Sequence, residues 1–270
     1  MAALLEAKDV TMKFGGLKAV DNFNLVLNPN ELVGLIGPNG AGKTTVFNVL
    51  TGVYKPTHGS VHLCGVDTKP LKPYKISHLG MSRTFQNIRL FKELSVIDNI
   101  LIAASQHAEH SMLDSVLRLP RHGREEARLR DKAMSLLRIF NLESKAEDES
   151  GSLPYGQQRK LEIIRALATD PKILCLDEPA AGMNHRETES LMETIAQIRR
   201  DFKLTVLLIE HDMKLVMGIC ERILVLDHGV TISQGAPNAI RKDPKVIAAY
   251  LGADFETQFT PELEDGGQRG

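Results

Sequence analysis

The sequence contains no tryptophan, and aromatic side chains make up only 5% of its 270 residues. Few side chains are therefore available to stack on unpaired bases, which disfavours a surface for single-stranded nucleic acid. The formal net charge is −1 at pH 7, so no chain-wide positive potential favours DNA or RNA. These scarcities together predict a protein with no nucleic-acid partner.

Cysteine and long apolar runs are scarce as well. Cys64, Cys175 and Cys220 lie far apart and form no C-x-x-C pair, which suits a reducing compartment such as the cytosol. No apolar run approaches the ~18 residues that a membrane-spanning helix needs. We therefore expect any connection with a membrane to pass through a partner protein.

The most informative stretch is the glycine-rich segment that begins at Gly37, which matches the phosphate-binding pattern G-x-x-x-x-G-K-[ST]. The apolar run over residues 32–36 predicts a buried strand before it, and a helix is expected after it. Glycines let backbone N–H groups turn toward a phosphate, Lys43 adds positive charge, and the Thr44 hydroxyl can ligate Mg²⁺. The predicted nucleotide-binding loop consists of Gly37, Pro38, Asn39, Gly40, Ala41, Gly42, Lys43, Thr44 and Thr45.

The alternation of short strands and helices predicts an α/β fold with a P-loop NTPase core. Its expected parts are a mostly parallel sheet, an antiparallel β layer before the P-loop, and a mostly helical insertion over about residues 87–168. We expect one domain over residues 1–252 and a polar, acidic tail over residues 253–270.

Within the insertion, helical spacing recurs over residues 96–104 and again at Leu113, Val116 and Leu117. Residues 120–123 are expected to break this pattern, and a second helix is predicted from about Arg124 to Phe140. The strand that precedes the insertion is predicted over residues 79–85, ending at Gln86.

Two carboxylates, Asp177 and Glu178, follow the apolar run at residues 173–176. Ligands of open α/β sheets bind at the carboxyl ends of the strands, so this pair is expected near the phosphates. We assign Asp177 to Mg²⁺ and Glu178 to the general base that polarises a water for attack on the γ-phosphate.

Three other side chains are weaker candidates. The amide of Gln86 can coordinate Mg²⁺ and accept from water, and His211, after a second apolar strand, can donate to a phosphate oxygen. Phe14 either stacks on a purine or belongs to the core, and the sequence does not decide between the two. No N-K-x-D guanine-reading sequence is present, which favours adenine.

A second anion-binding nest is predicted at the start of the helix that follows residue 152. The P-loop already encloses the phosphates of one nucleotide, so this nest is better explained by a second chain that completes the site. Its candidate residues are Leu153, Tyr155, Gly156 and Gln157.

In this order the motifs resemble those of ATP-binding-cassette ATPases over nearly the whole chain. Residues 37–44 are similar to the Walker A motif, Gln86 to the Q-loop, residues 153–157 to the signature, Asp177 and Glu178 to Walker B and the catalytic glutamate, and His211 to the switch histidine. The resemblance implies ATP and Mg²⁺ as cofactors and a head-to-tail dimer of ATPase subunits. It also implies an attachment to transmembrane subunits near the Q-loop, on the cytoplasmic side of the inner membrane.

Several segments, including Arg83-Thr84-Phe85-Gln86 and Tyr155-Gly156-Gln157-Gln158-Arg159, resemble the ATPase subunits of bacterial branched-chain amino-acid importers. The resemblance implies two permease subunits and, indirectly, a periplasmic or extracellular substrate-binding protein. The same cassette could serve another substrate, such as an amide, urea or an exported lipid, or could be a non-transport ATPase.

Two residues depart from the family's usual pattern. Pro154 stands where the signature usually has serine, and it lacks both a hydroxyl and a backbone N–H, which predicts a weaker phosphate nest. Asn184 stands where an aspartate is frequent and loses the charge while keeping hydrogen-bonding capacity.

Overall fold

A computed structural model describes residues 2–107 and 120–250. The predicted helical spacing at Leu113, Val116 and Leu117 and the predicted tail over residues 253–270 lie outside the described residues.

Ten strands and nine helices are placed in this part of the chain. The strands are β1 (Leu5–Phe14), β2 (Leu17–Leu27), β3 (Leu32–Ile36), β4 (His58–Leu63), β5 (Val66–Asp67), β6 (Met81–Arg83), β7 (Ile173–Asp177), β8 (Thr205–Ile209), β9 (Arg222–Asp227) and β10 (Val230–Gly235). The helices are α1 (Lys43–Leu50), α2 (Pro73–His78), α3 (Val96–Ala104), α4 (Pro120–Ile139), α5 (Tyr155–Ala168), α6 (His185–Phe202), α7 (Met213–Ile219), α8 (Pro237–Ile240) and α9 (Pro244–Tyr250).

The strands form two sheets. A four-stranded antiparallel sheet has the order β2-β1-β4-β5. A six-stranded sheet has the order β10-β9-β3-β8-β7-β6, and only the β10–β9 pair in it is antiparallel. The predicted combination of a mostly parallel core sheet with an antiparallel layer is confirmed.

The central strands are buried along their whole length because both faces of the six-stranded sheet are covered. One core fills the space between the two sheets and includes buried residues of α1 and α2, and a second core lies under the other helices. Along β8, Leu207 belongs to the first core and Leu208 to the second. Successive side chains of a strand point to opposite faces of the sheet. Because both faces are buried here, apolar residues occupy successive positions of these strands and the sequence shows a continuous apolar run.

The strand predicted over residues 79–85 is shorter than expected. Helix α2 ends at His78, Gly80 turns the chain with φ 104°, and β6 covers only three residues. After Arg83, the N–H and C=O of Phe85 bond to the side chains of Glu162 and Arg159. These side chains take the place of a neighbouring strand, so the ladder ends.

The helix predicted to start at Arg124 begins four residues earlier, at Pro120. Residues 120–123, where we expected a break, are therefore helical. Ala133, Leu136 and Leu137 on one side of α4 are buried, and the helix packs against α3 and α5. None of the helices in the described ranges is both long and apolar enough to cross a bilayer.

Candidate active site

The predicted P-loop connects β3 to α1, and its backbone needs glycine. Gly37 has φ 154°, and a Cβ there would lie 2.1 Å from the carbonyl oxygen of Leu226. Gly42 has φ 100°, and its Cβ would lie 2.6 Å from the carbonyl oxygen of Ala19. At Gly40, with φ 81°, no heavy atom would lie within 4 Å of a Cβ, so the backbone faces open space that a ligand can approach.

Lys43 is the buried cation of this loop. Its ammonium donates to the carbonyl oxygens of Gly37, at 2.6 Å, and Pro38, at 3.0 Å. Burial lowers the pKa of Lys43, while the charges of Glu178 and Asp177 oppose that shift. The ammonium is held beside the loop, where phosphate oxygens could take over its hydrogen bonds.

The loop forms one wall of a cleft of about 560 Å³, a size that suits a small-molecule ligand. The predicted site residues that line it are Asn39, Gly40, Ala41, Gly42, Lys43, Thr44, Thr45, Gln86 and Glu178. Sequence reasoning missed the other lining residues, which are Leu17, Lys18, Ala19 and His228. His228 lies in the turn between β9 and β10, and no local sequence pattern places that turn against the P-loop.

Asp177 is the last residue of β7, and only 4% of it is exposed. Its N–H donates to the hydroxyl of Thr84 at 3.2 Å. Burial raises the pKa of the Asp177 carboxyl, and the nearby guanidinium of Arg83 opposes this rise. A buried carboxylate with unused acceptor capacity is a suitable cation ligand.

Glu178 turns away from the sheet into the cleft. Its backbone has φ 46°, and its N–H donates to the carbonyl oxygen of Ile209 at 2.9 Å. The side-chain amide of Gln86 donates to Glu178 Oε2 at 3.1 Å. Gln86 and Glu178, 92 positions apart in sequence, thus meet at the edge of the P-loop.

His211 approaches the same carboxylate. Its Nδ1 lies 3.8 Å from Glu178 Oε1 and 3.7 Å from Glu210 Oε2, and the side chain is 61% exposed. Glu210 is buried and accepts from the N–H groups of Ala180, at 3.0 Å, and His211, at 3.1 Å. Glu210 therefore joins the segments after β7 and β8, a role that its position after a buried strand could have suggested.

Phe14 is 44% exposed, so the alternative that it belongs to the core is wrong. Its ring lies edge-to-face with Tyr54, with centroids 5.4 Å apart. Phe14 does not line the P-loop cleft in the described part of the chain. Stacking on a purine stays a prediction.

The predicted second nest lies apart from the cleft, at the start of α5. Leu153 is buried, and the carbonyl oxygen of Pro154 accepts from the N–H groups of Gln157 and Gln158 at 2.9 and 3.0 Å. A Cβ on Gly156 would lie 3.0 Å from Glu187 Oε1, so this turn packs closely on α6. Among the described residues, none of Leu153, Tyr155, Gly156 and Gln157 lines the P-loop cleft.

The predicted metal ligands are chemically suited to Mg²⁺. Thr44 offers a hydroxyl, Gln86 an amide oxygen and Asp177 a carboxylate, and Mg²⁺ prefers oxygen ligands while keeping several waters or phosphate oxygens. Thr44 and Gln86 line the cleft, and Asp177 lies close enough to Lys43 for its negative charge to raise the pKa of the lysine.

A glycine-rich loop with a buried lysine, facing two carboxylates at a strand end, defines a P-loop nucleoside triphosphatase. The sequence matches the family model "ABC transporter" over residues 20–181 and the model "Branched-chain amino acid ATP-binding cassette transporter" over residues 230–256. The chain therefore belongs to the ABC transporter family, and its activity is ATP hydrolysis coupled to transport. The resemblance described from the sequence is confirmed.

Several relatives are similar over their whole length. The chain is 49% identical to the high-affinity branched-chain amino acid transport ATP-binding protein LivG of Escherichia coli K12, over 92% of this chain and 98% of that protein. It is 48% identical to BraF of Pseudomonas aeruginosa, a protein with the same description, over the same shares.

Solved structures show the same fold. The ADP conformation of MJ1267, an ATP-binding cassette of an ABC transporter, has a TM-score of 0.80 at 30% identity and covers 93% of this chain and 100% of that one. The dimeric structure of MJ0796, a bacterial ABC transporter cassette, has a TM-score of 0.73 at 26% identity and covers 86% and 98% of the two chains.

Proposed function

We propose that the chain is the ATP-hydrolysing subunit of an importer for branched-chain amino acids. The observation that carries this proposal is the 49% identity over 98% of the length of LivG, a branched-chain amino acid transport ATP-binding protein. The substrate is inferred from these relatives, because the residues of the P-loop cleft bear on the nucleotide and not on an amino acid.

In this proposal, the backbone N–H groups of residues 37 and 39–45 and the ammonium of Lys43 hold the phosphates of ATP. Thr44, Gln86 and Asp177 would hold Mg²⁺, which supplies charge neutralisation on the phosphates when it is bound. Phe14 stacks on the adenine ring.

Three side chains then act on the attacking water and the γ-phosphate. Glu178 accepts a proton from the water. The Gln86 amide, which is hydrogen-bonded to Glu178, orients the Glu178 carboxylate. His211 donates a hydrogen bond to a phosphate oxygen.

The proposed assembly is a head-to-tail dimer of two ABC ATPase subunits, equal or different. In it, Leu153, Tyr155, Gly156 and Gln157 of one subunit would face the nucleotide held by the P-loop of the other. The separation of these residues from the chain's own cleft supports this arrangement. Two permease subunits in the inner membrane complete the complex, with this chain peripheral on the cytoplasmic side and a substrate-binding protein acting indirectly.

We assign residues 1–252 to one domain and residues 87–168 within it to a helical subdomain, which contacts the permease. A groove of about 790 Å³ beside the Gln86 loop supports this assignment. Its walls include the exposed aromatic rings of Tyr74 and Phe91 and the guanidinium of Arg165. A short amphipathic helix of a membrane subunit would fit such a groove.

Replacement of the proposed base tests the hydrolytic role. Glu178→Gln keeps the size and hydrogen-bonding capacity of the side chain but cannot accept the proton, so we expect ATP turnover to fall about 100-fold or more. Binding of a fluorescent ATP analogue should stay near the wild-type affinity. The matched control is Glu193→Gln, at an exposed glutamate of α6, which should turn over at the wild-type rate. Full turnover by Glu178→Gln would rule out this residue as the base.

Uptake measurements test the substrate. Deletion of the gene should abolish high-affinity uptake of labelled leucine, and the wild-type chain but not Glu178→Gln should restore it. The chain is also 33% identical to LptB of E. coli K12, a lipopolysaccharide export system ATP-binding protein, over 94% of its length. Lipid export is therefore the second candidate, and normal leucine uptake with an envelope defect would favour it.

A further inference from the structure

Arg159 in the first turns of α5 is a fully buried charge that lies outside the P-loop cleft. Its two terminal nitrogens make four hydrogen bonds. Nη1 donates to the carbonyl oxygen of Phe85 at 2.7 Å and to Glu162 Oε2 at 3.1 Å. Nη2 donates to the carbonyl oxygen of Gln86 at 2.6 Å and to the hydroxyl of Tyr155 at 3.0 Å.

Two of these bonds hold the backbone of the Gln86 loop at a point where the sheet no longer does. Strand β6 ends at Arg83, and the ladder with β7 ends with the pair Arg83–Cys175. Glu162 completes the attachment, because its Oε1 accepts from the N–H of Phe85 at 3.2 Å. The Phe85 ring is also flanked by the guanidinium groups of Arg83 and Arg89, at 4.6 and 4.2 Å from its centroid.

The loop held in this way carries the amide that reaches Glu178. Arg159 bonds the carbonyl oxygen of Gln86, and the Gln86 side chain bonds Glu178 Oε2 at 3.1 Å. Gln86 thus links Arg159 to the proposed general base, Glu178. A misplacement of about 1 Å in a group that orients a reactant can cost about 100-fold in rate.

We propose that Arg159 is a positioning residue for ATP hydrolysis, which acts by holding Gln86 where its amide can orient Glu178. A guanidinium is suited to this task because its planar fork can serve two carbonyl oxygens, a hydroxyl and a carboxylate at once. The inference rests on the roles proposed above for Gln86 and Glu178.

Arg159→Lys is the first test, made with the full-length chain. Lysine keeps the positive charge beside Glu162, but one ammonium cannot span both carbonyl oxygens and the Tyr155 hydroxyl. We expect kcat to fall about tenfold or more while KM for ATP stays within about twofold, because Lys43 and the loop amides are not changed. The control is Arg186→Lys, at an exposed arginine of α6, which should match the wild type. A wild-type kcat for Arg159→Lys would overturn the proposal.

A double-mutant cycle with Gln86→Ala separates positioning from general destabilisation. If Arg159 acts through Gln86, the double variant should be no slower than Gln86→Ala alone. Losses that multiply would show that Arg159 acts by another route and would overturn the proposal. Arg159→Gln, which can still serve one carbonyl oxygen, repeats the cycle if the lysine variant does not fold. Failure of both variants to fold would show a structural role and would also overturn it.

The same cycle keeps the two proposals apart. Wild-type turnover by Gln86→Ala would contradict the role proposed for Gln86 itself. Slow turnover by Gln86→Ala together with unchanged kcat for Arg159→Lys would leave the proposed function intact and remove only the inference about Arg159.

Discussion

Several ionisable side chains of the site are kept out of water. Lys43, Asp177 and Glu210 are all buried. Burial lowers the pKa of Lys43 and raises the pKa of Asp177 and of Glu210, which favours the neutral form of each side chain. A buried charge is costly unless it is paired, and each of these groups has hydrogen bonds or an opposite charge nearby. In the protein without nucleotide, the burial of these charges therefore lowers the free energy of unfolding. We expect that free energy to depend on pH.

Asp177→Asn tests this dependence. The pKa of Asp177 is raised above its ordinary value of 3.8 by burial, so the folded state binds its proton more tightly than the unfolded state. The contribution of Asp177 to the free energy of unfolding therefore falls as the pH rises from about 4 through the raised pKa. Asp177→Asn should melt a few degrees above the wild type at pH 8, and the difference should shrink as the pH falls through that range.

The measurement is thermal unfolding of both proteins without nucleotide across pH 4 to 8. Asp201→Asn, at an exposed position of α6, is the control and should follow the wild type at every pH. A difference that grows toward low pH would contradict the assigned cause, because it would require a lowered pKa for Asp177. The variant should also lose ATP turnover, since asparagine lacks the charge proposed to hold Mg²⁺.

At the scale of elements, Asn184 explains how one departure from the family's usual pattern is accommodated. It is the N-cap of α6, and its side chain accepts from the N–H of Glu187 at 3.0 Å. The Glu187 carboxylate accepts in turn from the N–H of Asn184 at 3.0 Å, which completes a capping box. An asparagine serves this position as well as an aspartate, so the lost charge has no cost for the helix start.

We therefore expect Asn184→Ala to lower the free energy of unfolding by about 1 kcal/mol and Asn184→Asp to leave it nearly unchanged. Urea unfolding followed by circular dichroism measures both. Equal stability of the alanine variant and the wild type would mean that the capping box contributes nothing measurable. Because α6 follows the segment that carries Glu178, ATP turnover of the same variants shows whether the helix start also supports the site.

At the scale of the whole molecule, the site residues are divided between two surfaces. P-loop residues, Gln86 and Glu178 line one cleft, His211 lies beside Glu178, and the proposed nest at the start of α5 lies elsewhere. In the described structure, the four residues of the proposed nest therefore do not reach the cleft of the chain's own P-loop. In the proposed function, this division is resolved only when two subunits associate.

Association should follow nucleotide binding. With Mg²⁺ and ATP, the Glu178→Gln chain, which we expect to hydrolyse slowly, should shift from monomer to dimer in light scattering, because ATP would contact both subunits of the proposed dimer. Adding Lys43→Ala removes the buried cation of the P-loop and should abolish the shift. A monomer under all conditions would indicate that the natural dimer pairs this chain with a different ATPase subunit. Mixing with that subunit should then restore the shift.

The sequence by itself determined the features that depend on a few consecutive residues. The P-loop, the buried strands β3, β7 and β8, and the carboxylates at the end of β7 each follow from a local pattern, because strand period, glycine content and strand-end polarity act over a few residues. The family and its fold followed from the order of these motifs, and both are confirmed.

Only the tertiary structure decided which distant residues meet. It ended β6 early, left Phe14 at the surface, brought His228 to the P-loop, and buried Arg159 against a loop more than 70 positions away. The physical reason is that such contacts depend on how whole elements pack, and a single arginine in a helix carries no local sign of whether it will face water or a buried carbonyl.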